Sequence, residues 1–400
     1  MKKQPNQVLP GRLWGVVLWC MLLLSGCDRD GSNTTPQNKY LVESKQVIEL
    51  SREQLSQQLS ALSPLLAGLV RNGVKVHRIT YKTKNTDGTD ITASGAIILP
   101  STTEPAPMIS VQHGTIRSES EAPSNFSPGT EAYYAGSLFS ALGYIIVYPD
   151  YIGYGASKDL PHPYEHRESL GSASLDMLRA AKEFLREQKD VKWDERLFIT
   201  GYSEGGYATM ALQQKLEQEA AGEFNLRASS VGAGAYDKTS TMKYLVNNRT
   251  SGVASRNSLY LWVLLTYDRV YGLNRPASYY FKEPYATQIQ QRGKDAMISV
   301  SFNEIMSDEF KQSLENGTDK GFLDAVADNN VYDWKPVTPT RLYHGESDRL
   351  VFYFNSQNAY DAMIKRGATN VSLVPIKGGD HDTSIDKFLL GTLEFFTSTQ

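Results

Sequence analysis

The chain has 400 residues, with 41 Lys+Arg against 44 Asp+Glu and a formal net charge of −3. That balance excludes a strongly basic nucleic-acid footprint and a disordered, charge-dominated chain. Apolar residues at 40% and aromatics at 10% are globular values, and the length suits one large domain or one domain with an insertion.

The first residues read as a processing segment. Lys2, Lys3 and Arg12 are basic, and Leu13–Leu24 (LWGVVLWCMLLL) is almost unbroken apolar sequence. It is too short to span a bilayer comfortably but fits the core of a signal peptide. Leu24-Ser25-Gly26-Cys27 follows and resembles the bacterial lipobox, which implies acylation of Cys27 after removal of residues 1–26. The only other cysteine is Cys20, which leaves with the signal, so the mature chain is expected to fold without a disulfide. Several acyl chains on one cysteine give stable anchoring to a membrane. The expected location is therefore the bacterial cell envelope, on the periplasmic side. Asp28 resembles an inner-membrane retention signal. Residues 27–44 are polar, with Gly, Asn, Thr and Pro, and read as a lipidated tether.

The body alternates strand and helix patterns. Leu55, Leu59, Leu62, Leu66 and Leu69 predict an amphipathic helix over 46–71. Val74–Lys84 and Ile91–Leu99, joined through Asp87-Gly88, predict a hairpin. Met108–Gln112 is a short buried strand, 131–142 a helix, and Tyr144–Tyr148 a fully apolar strand of the kind found inside parallel sheets. A helix over 168–188, a strand Arg196–Thr200, a helix Glu204–Glu219 and a small-residue strand Ser229–Gly234 follow. After residue 337 come strand Thr340–Tyr343, helix Asn355–Arg366, strand Val371–Ile376 and helix Ile385–Thr397. This order predicts an α/β fold, a doubly wound and mostly parallel sheet. Residues 237–336 break the rhythm and read as a helical cap inserted between two core parts, 45–236 and 337–400. The cap is rich in aromatics, among them Tyr236, Tyr244, Tyr260, Trp262, Tyr267, Tyr271, Tyr279, Tyr280, Phe281 and Tyr285. Most are expected to pack its own core, and some to line a pocket.

Gly201-Tyr202-Ser203-Glu204-Gly205 is the only G-x-S-x-G in the chain. The pattern alone is weak, but a strand ends immediately before it and a helix starts immediately after it. That setting is the nucleophile elbow, in which the serine stands exposed on a sharp turn. A serine hydroxyl needs a base. Only His344 and His381 follow Ser203, and His381 lies in the loop between the last strand and last helix, where it can reach the serine. Asp348 sits just past a strand end and is the best acid to hold the imidazole; Glu346 is a neighbour that could substitute. The N–H of Glu204 and a second N–H at Thr115, or at Gly114, are the expected oxyanion donors. His113 reads as structural.

In order, HGT at 113–115, DYIGYGAS at 150–157, HPYEHRES at 162–169, GYSEGG at 201–206, HGESDRLV at 344–351 and GGDH at 378–381 resemble the α/β-hydrolase family, and most closely its secreted lipase/esterase-type members. The resemblance covers about residues 75–400. It implies ester hydrolysis through an acyl-serine, with Ser203, Asp348 and His381 as nucleophile, acid and base, and a small-molecule ester as the partner. Glu204 departs from the small or apolar residue frequent after the serine, and its carboxylate is expected to disfavour anionic substrates. His162-x-x-Glu165-His166 matches a zinc pattern, but Pro163 disfavours the helix that would align the two histidines. No metal, no cofactor and no nucleic acid is expected. A peptidase on the same fold and a non-catalytic envelope lipoprotein are the alternative functions.

Overall fold

The structure is a computed structural model that describes residues 37–60 and 64–399. The processing segment, Cys27 and Asp28 lie outside the described residues. One sheet of nine strands organises the remainder: β1 (Leu41–Leu50), β2 (Val74–Lys84), β3 (Asp90–Pro100), β4 (Ala106–Gln112), β5 (Ile145–Pro149), β6 (Trp193–Tyr202), β7 (Asn225–Gly232), β8 (Thr340–Gly345) and β9 (Val371–Ile376). Their spatial order is β1-β2-β3-β5-β4-β6-β7-β8-β9. The first three run antiparallel, β3 joins β5 antiparallel, and β5 through β9 are parallel. The fold is the α/β-hydrolase sheet.

Successive residues of the central strands serve opposite faces, as the period of two requires. Ile97, Ile145, Val147, Leu197 and Ile199 pack with Met177 and Phe184 of the helix Arg167–Glu187 and with Leu212 of the helix Glu204–Gln218. Their neighbours Ile98, Ile146 and Phe198 pack on the other face with Leu55, Phe139 and Phe396. Both faces are covered, which is why these strands read as continuous apolar runs.

Two expectations at the start of the chain are corrected. Residues 46–50 are not helical but complete β1, and residues 41–44, expected in the tether, begin it. The edge position explains the misreading, because most of β1 is exposed and lacks a clean alternation. The helix is two short pieces, Arg52–Ser60 and Pro64–Leu69, of which Leu55 and Leu59 are buried. Leu62 and the side chain of Leu66 lie outside the described residues. The entry to β1 is held by Glu183, whose carboxylate accepts from the N–H groups of Lys39, Tyr40 and Leu41 at 2.9, 2.9 and 2.7 Å.

Between β7 and β8 the described chain is helical, from Lys238–Asn247 to Lys320–Asp328, apart from a single bridge between Phe281 and Met306. Tyr267, Tyr280, Phe281, Phe302, Phe310 and Phe322 form a core of its own there. Most of the aromatics therefore pack the cap, while Tyr260 and Tyr267 also reach a cavity at Ser203. Among the described residues no helix is long and apolar enough to cross a membrane.

Glycine is required where the Glu204–Gln218 helix meets the sheet. A Cβ on Gly205 would collide with the backbone carbonyl of Gln112 at the end of β4, and one on Gly206 with that of Gly232 at the end of β7. Gly205→Ala is expected to destabilise the fold by about 2 kcal/mol or more, because the obstacle is backbone and cannot yield. Gly68→Ala, inside the helix Pro64–Leu69 with open space at its Cβ, is the control and should not destabilise, gaining up to about 1 kcal/mol in the same denaturant titration.

Candidate active site

The turn between β6 and its helix places Ser203 at φ 60° and ψ −123°. A non-glycine residue in that region is strained by about 1–3 kcal/mol, and such strain persists only where the surroundings impose it. Here the Ser203 N–H donates to Gly232 O at 2.9 Å, and the Ser203 carbonyl accepts from Tyr207 N at 3.1 Å. The hydroxyl is thereby aimed away from the sheet toward the loops at its carboxyl edge.

The loop after β9 brings His381 to it. Asp380 shapes that loop by accepting from the N–H groups of Asp382 and Thr383 at 3.1 and 2.9 Å. Tyr202 donates its hydroxyl to the His381 carbonyl at 2.7 Å. His381 Nε2 lies 2.9 Å from Ser203 Oγ, and Nδ1 lies 2.6 Å from Asp348 Oδ2. Asp348, in the turn after β8, is buried, and its other oxygen accepts from the N–H groups of Leu350 and Val351 at 2.8 and 3.0 Å. His344 adds a contact from Nε2 at 3.4 Å. Burial alone would raise the Asp348 carboxyl, but the His344 and His381 bonds outweigh it and hold it well below the usual carboxylate range. Asp348 is thus ionised at neutral pH and can fix the His381 tautomer with the proton on Nδ1. Glu346, Asp380 and Asp382, the neighbouring acids, are exposed.

The loop after β4 carries the expected oxyanion donors. Gly114 N–H is taken by Glu131 Oε2 at 3.1 Å. Among the described residues, the N–H groups of Thr115 and Glu204 have no acceptor. Thr115 lines the same cavity as Ser203 and His381, which makes it the fitter of the two candidates in that loop. His113 is structural: its ring packs on Tyr151 with centroids 4.1 Å apart, and the Tyr151 hydroxyl donates to the His113 carbonyl.

The residues of the zinc-like pattern part company. His162 Nδ1 lies 2.7 Å from Ile152 O and donates to it, while Nε2 lies 2.7 Å from the Glu204 carboxylate. Glu165 pairs with Lys238, and His166 caps the helix Arg167–Glu187 by accepting from Ser169 N. Among the described residues no group of three or more His, Cys, Asp or Glu is placed to hold a metal ion. Glu204 is only 1% exposed. Its carboxylate is held by His162 and does not line the cavity at Ser203. Sequence reading missed this pair and the Glu165–Lys238 pair. The available signal was the acid itself: a carboxylate next to the elbow must be buried, and a buried carboxylate needs a partner. Burial pushes the Glu165 carboxyl up and the Lys238 ammonium down, and each partner opposes the other's shift.

Burial also holds the His166 imidazole down to about 4, so it is neutral in the folded protein at pH 7. The unfolded chain takes up a proton near pH 6.5. Stability from this group is therefore complete above pH 6.5 and is lost as pH falls from there to about 4. His166→Asn, which keeps a cap acceptor, should reduce the fall in melting temperature between pH 7 and pH 5; an unchanged fall would remove His166 from the account.

Comparison with known proteins gives the family. The family model of the secretory lipases matches residues 130–386. No curated protein sequence matches the chain. Among solved structures, a candidate hydrolase from Legionella pneumophila superposes with a TM-score of 0.79 at 26% identity, over 90% of this chain and 98% of its own. The rice cell wall degrading esterase LipA from Xanthomonas oryzae gives a TM-score of 0.77 at 22% identity, over 91% and 100%. Candida antarctica lipase A in its closed state gives 0.63 at 15%, over 91% and 82%. These last two likenesses are of fold. The family match spans well over half of the chain, which is a member of the secretory lipase family and an ester-hydrolysing serine hydrolase.

Proposed function

We propose that Ser203, His381 and Asp348 carry out the ester hydrolysis. The observation behind this reading is the unbroken hydrogen-bond chain from Ser203 Oγ through both nitrogens of one imidazole to a buried carboxylate. Ser203 Oγ attacks the ester carbonyl carbon while His381 Nε2 takes its proton. The carbonyl oxygen becomes an oxyanion, held by the N–H groups of Glu204 and Thr115. Collapse breaks the bond to the alcohol oxygen, which leaves with the proton from His381, and the acyl group stays on Ser203. A water then gives a proton to His381, attacks the acyl-serine and releases the carboxylic acid as the proton returns to Ser203. Asp348 stays ionised throughout and stabilises the imidazolium.

A fluorophosphonate probe tests the assignment directly. The folded protein should be labelled stoichiometrically, and Ser203→Ala should abolish labelling and lower kcat by roughly 10⁴-fold or more with the melting temperature retained. Labelling that survives Ser203→Ala would move the nucleophile elsewhere. Absence of labelling in the folded wild type would favour a binding role, and turnover of aminoacyl amides without esters would favour a peptidase.

The placement in the cell envelope is proposed on the sequence. Lipidation of Cys27 after loss of residues 1–26, followed by a 27–40 lead, would tether the core (41–236 and 337–400) and the cap (237–336) to a membrane, with Asp28 favouring the inner one. The secretory character of the family fits export. Cys27→Ser should shift the protein from the membrane fraction to the soluble one. Retention in salt-washed membranes would reject the lipid anchor.

A further inference from the structure

The N–H groups of Thr115 and Glu204, proposed above to hold the oxyanion, belong to residues far apart in the chain. Their side chains are gripped from one short stretch, His162-Pro163-Tyr164. His162 Nε2 lies 2.7 Å from Glu204 Oε1, and the Tyr164 hydroxyl lies 2.8 Å from Thr115 Oγ1. A donor serves an oxyanion only at about 2.7–3.1 Å, and a misplacement of about 1 Å can cost on the order of 100-fold in rate. What fixes these two residues therefore matters to the chemistry.

The stretch is itself firmly set. Pro163 locks its own φ and pushes His162 to extended backbone. His162 Nδ1 donates to Ile152 O at 2.7 Å, and Gly153 lies so close that a Cβ there would strike the His162 backbone. Trp262, from the helix Ala254–Val270, stacks on Tyr164 with centroids 4.4 Å and planes 11° apart. The same indole meets the His162 ring at 74° with centroids 5.5 Å apart, and the Tyr154 ring stands 5.0 Å away.

The bond to Glu204 carries its own proton. A carbonyl only accepts, so the hydrogen toward Ile152 is on Nδ1; Nε2 then faces a carboxylate, and a second hydrogen has to lie between them. His162, Tyr164 and Glu204 are all buried, so cutting this bond would leave a carboxylate without a partner in a place water does not reach. His162 lines neither cavity at Ser203. Any influence it has on the reaction has to pass through Glu204.

We infer that His162 and Tyr164 are positioning residues of the oxyanion site, each holding by its side chain one of the two residues whose N–H the oxyanion needs. This rests on the roles proposed above for Ser203, Glu204 and Thr115 and adds what keeps the two donors in place.

The test divides the two contacts of His162. His162→Gln can set an amide N–H where Nε2 stands and keep the Glu204 bond, whereas His162→Asn can reach only Ile152 O. For a p-nitrophenyl ester, His162→Asn should lower kcat by about 10-fold or more with KM nearly unchanged, and His162→Gln should recover most of it. Tyr164→Phe, which keeps the stack on Trp262, should also lower kcat rather than raise KM. An alkyl trifluoromethyl ketone reads the donors directly: Ser203 Oγ adds to its carbonyl carbon, His381 takes the proton, and the ketone oxygen is left as an oxyanion. Its inhibition constant should weaken in proportion to the loss of kcat. Equal losses in His162→Asn and His162→Gln, a rise in KM with kcat kept, or unchanged inhibition by the ketone would overturn the inference. If His162→Asn does not fold, His162→Leu paired with Glu204→Leu buries no lone charge and takes its place: kcat lowered at a retained melting temperature supports the role, and wild-type kcat rejects it. Ser203→Ala in the same assay separates the two levels. Turnover retained there rejects the nucleophile, whereas turnover lost there with kcat kept in His162→Asn rejects only the positioning role.

Discussion

A single left-handed residue at the end of β6 is the constraint around which the molecule is arranged. Ser203 holds φ 60° because the strand behind it and the helix ahead of it are both clamped to neighbouring strand ends. Gly205 lies against the carbonyl of Gln112 and Gly206 against that of Gly232, so the ends of β4, β6 and β7 converge at one point. The strain in the turn is small against the burial energy of the packed sheet, and it is what lifts the hydroxyl clear of its own helix.

The segment from Asp150 to His166 ties that turn to the rest of the site. Tyr151 packs on His113 and fixes the loop after β4. His162 bonds Glu204, the residue next to the serine. The Tyr164 hydroxyl bonds Thr115 Oγ1 at 2.8 Å, while its ring stacks on Trp262 of the cap with centroids 4.4 Å apart. Glu165 pairs with Lys238 at the first turn of the cap. One loop therefore couples the Thr115 loop, the elbow and the helices between β7 and β8 through buried polar contacts, pairing groups that would be costly to bury alone.

Much of this was legible in the sequence, for a physical reason. Strands buried on both faces, such as Ile145–Pro149, leave an apolar run with little ambiguity, and the elbow pattern has meaning only between a strand and a helix, both readable at 196–219. The order of Ser203, Asp348 and His381 along the chain restricted the choice to two histidines. What stayed hidden depends on three-dimensional neighbours. The edge strand β1 is mostly exposed and paired on one side, so its residues 46–50 carried no strand pattern to separate them from the helical leucines that follow. His162 and Glu204 are distant in sequence, and their bond has no local signature. The same holds for Glu165 and Lys238, which come from opposite sides of β6 and β7.

The Glu183 carboxylate that gathers three successive N–H groups at residues 39–41 sits near the far end of the Arg167–Glu187 helix. The near end of that helix begins at His166, beside the loop that serves Ser203, and the two are separated by about 25 Å of helix. The first strand thus enters the sheet against the end of that helix remote from Ser203, so the start of the described chain and the serine turn are served by opposite ends of one rod.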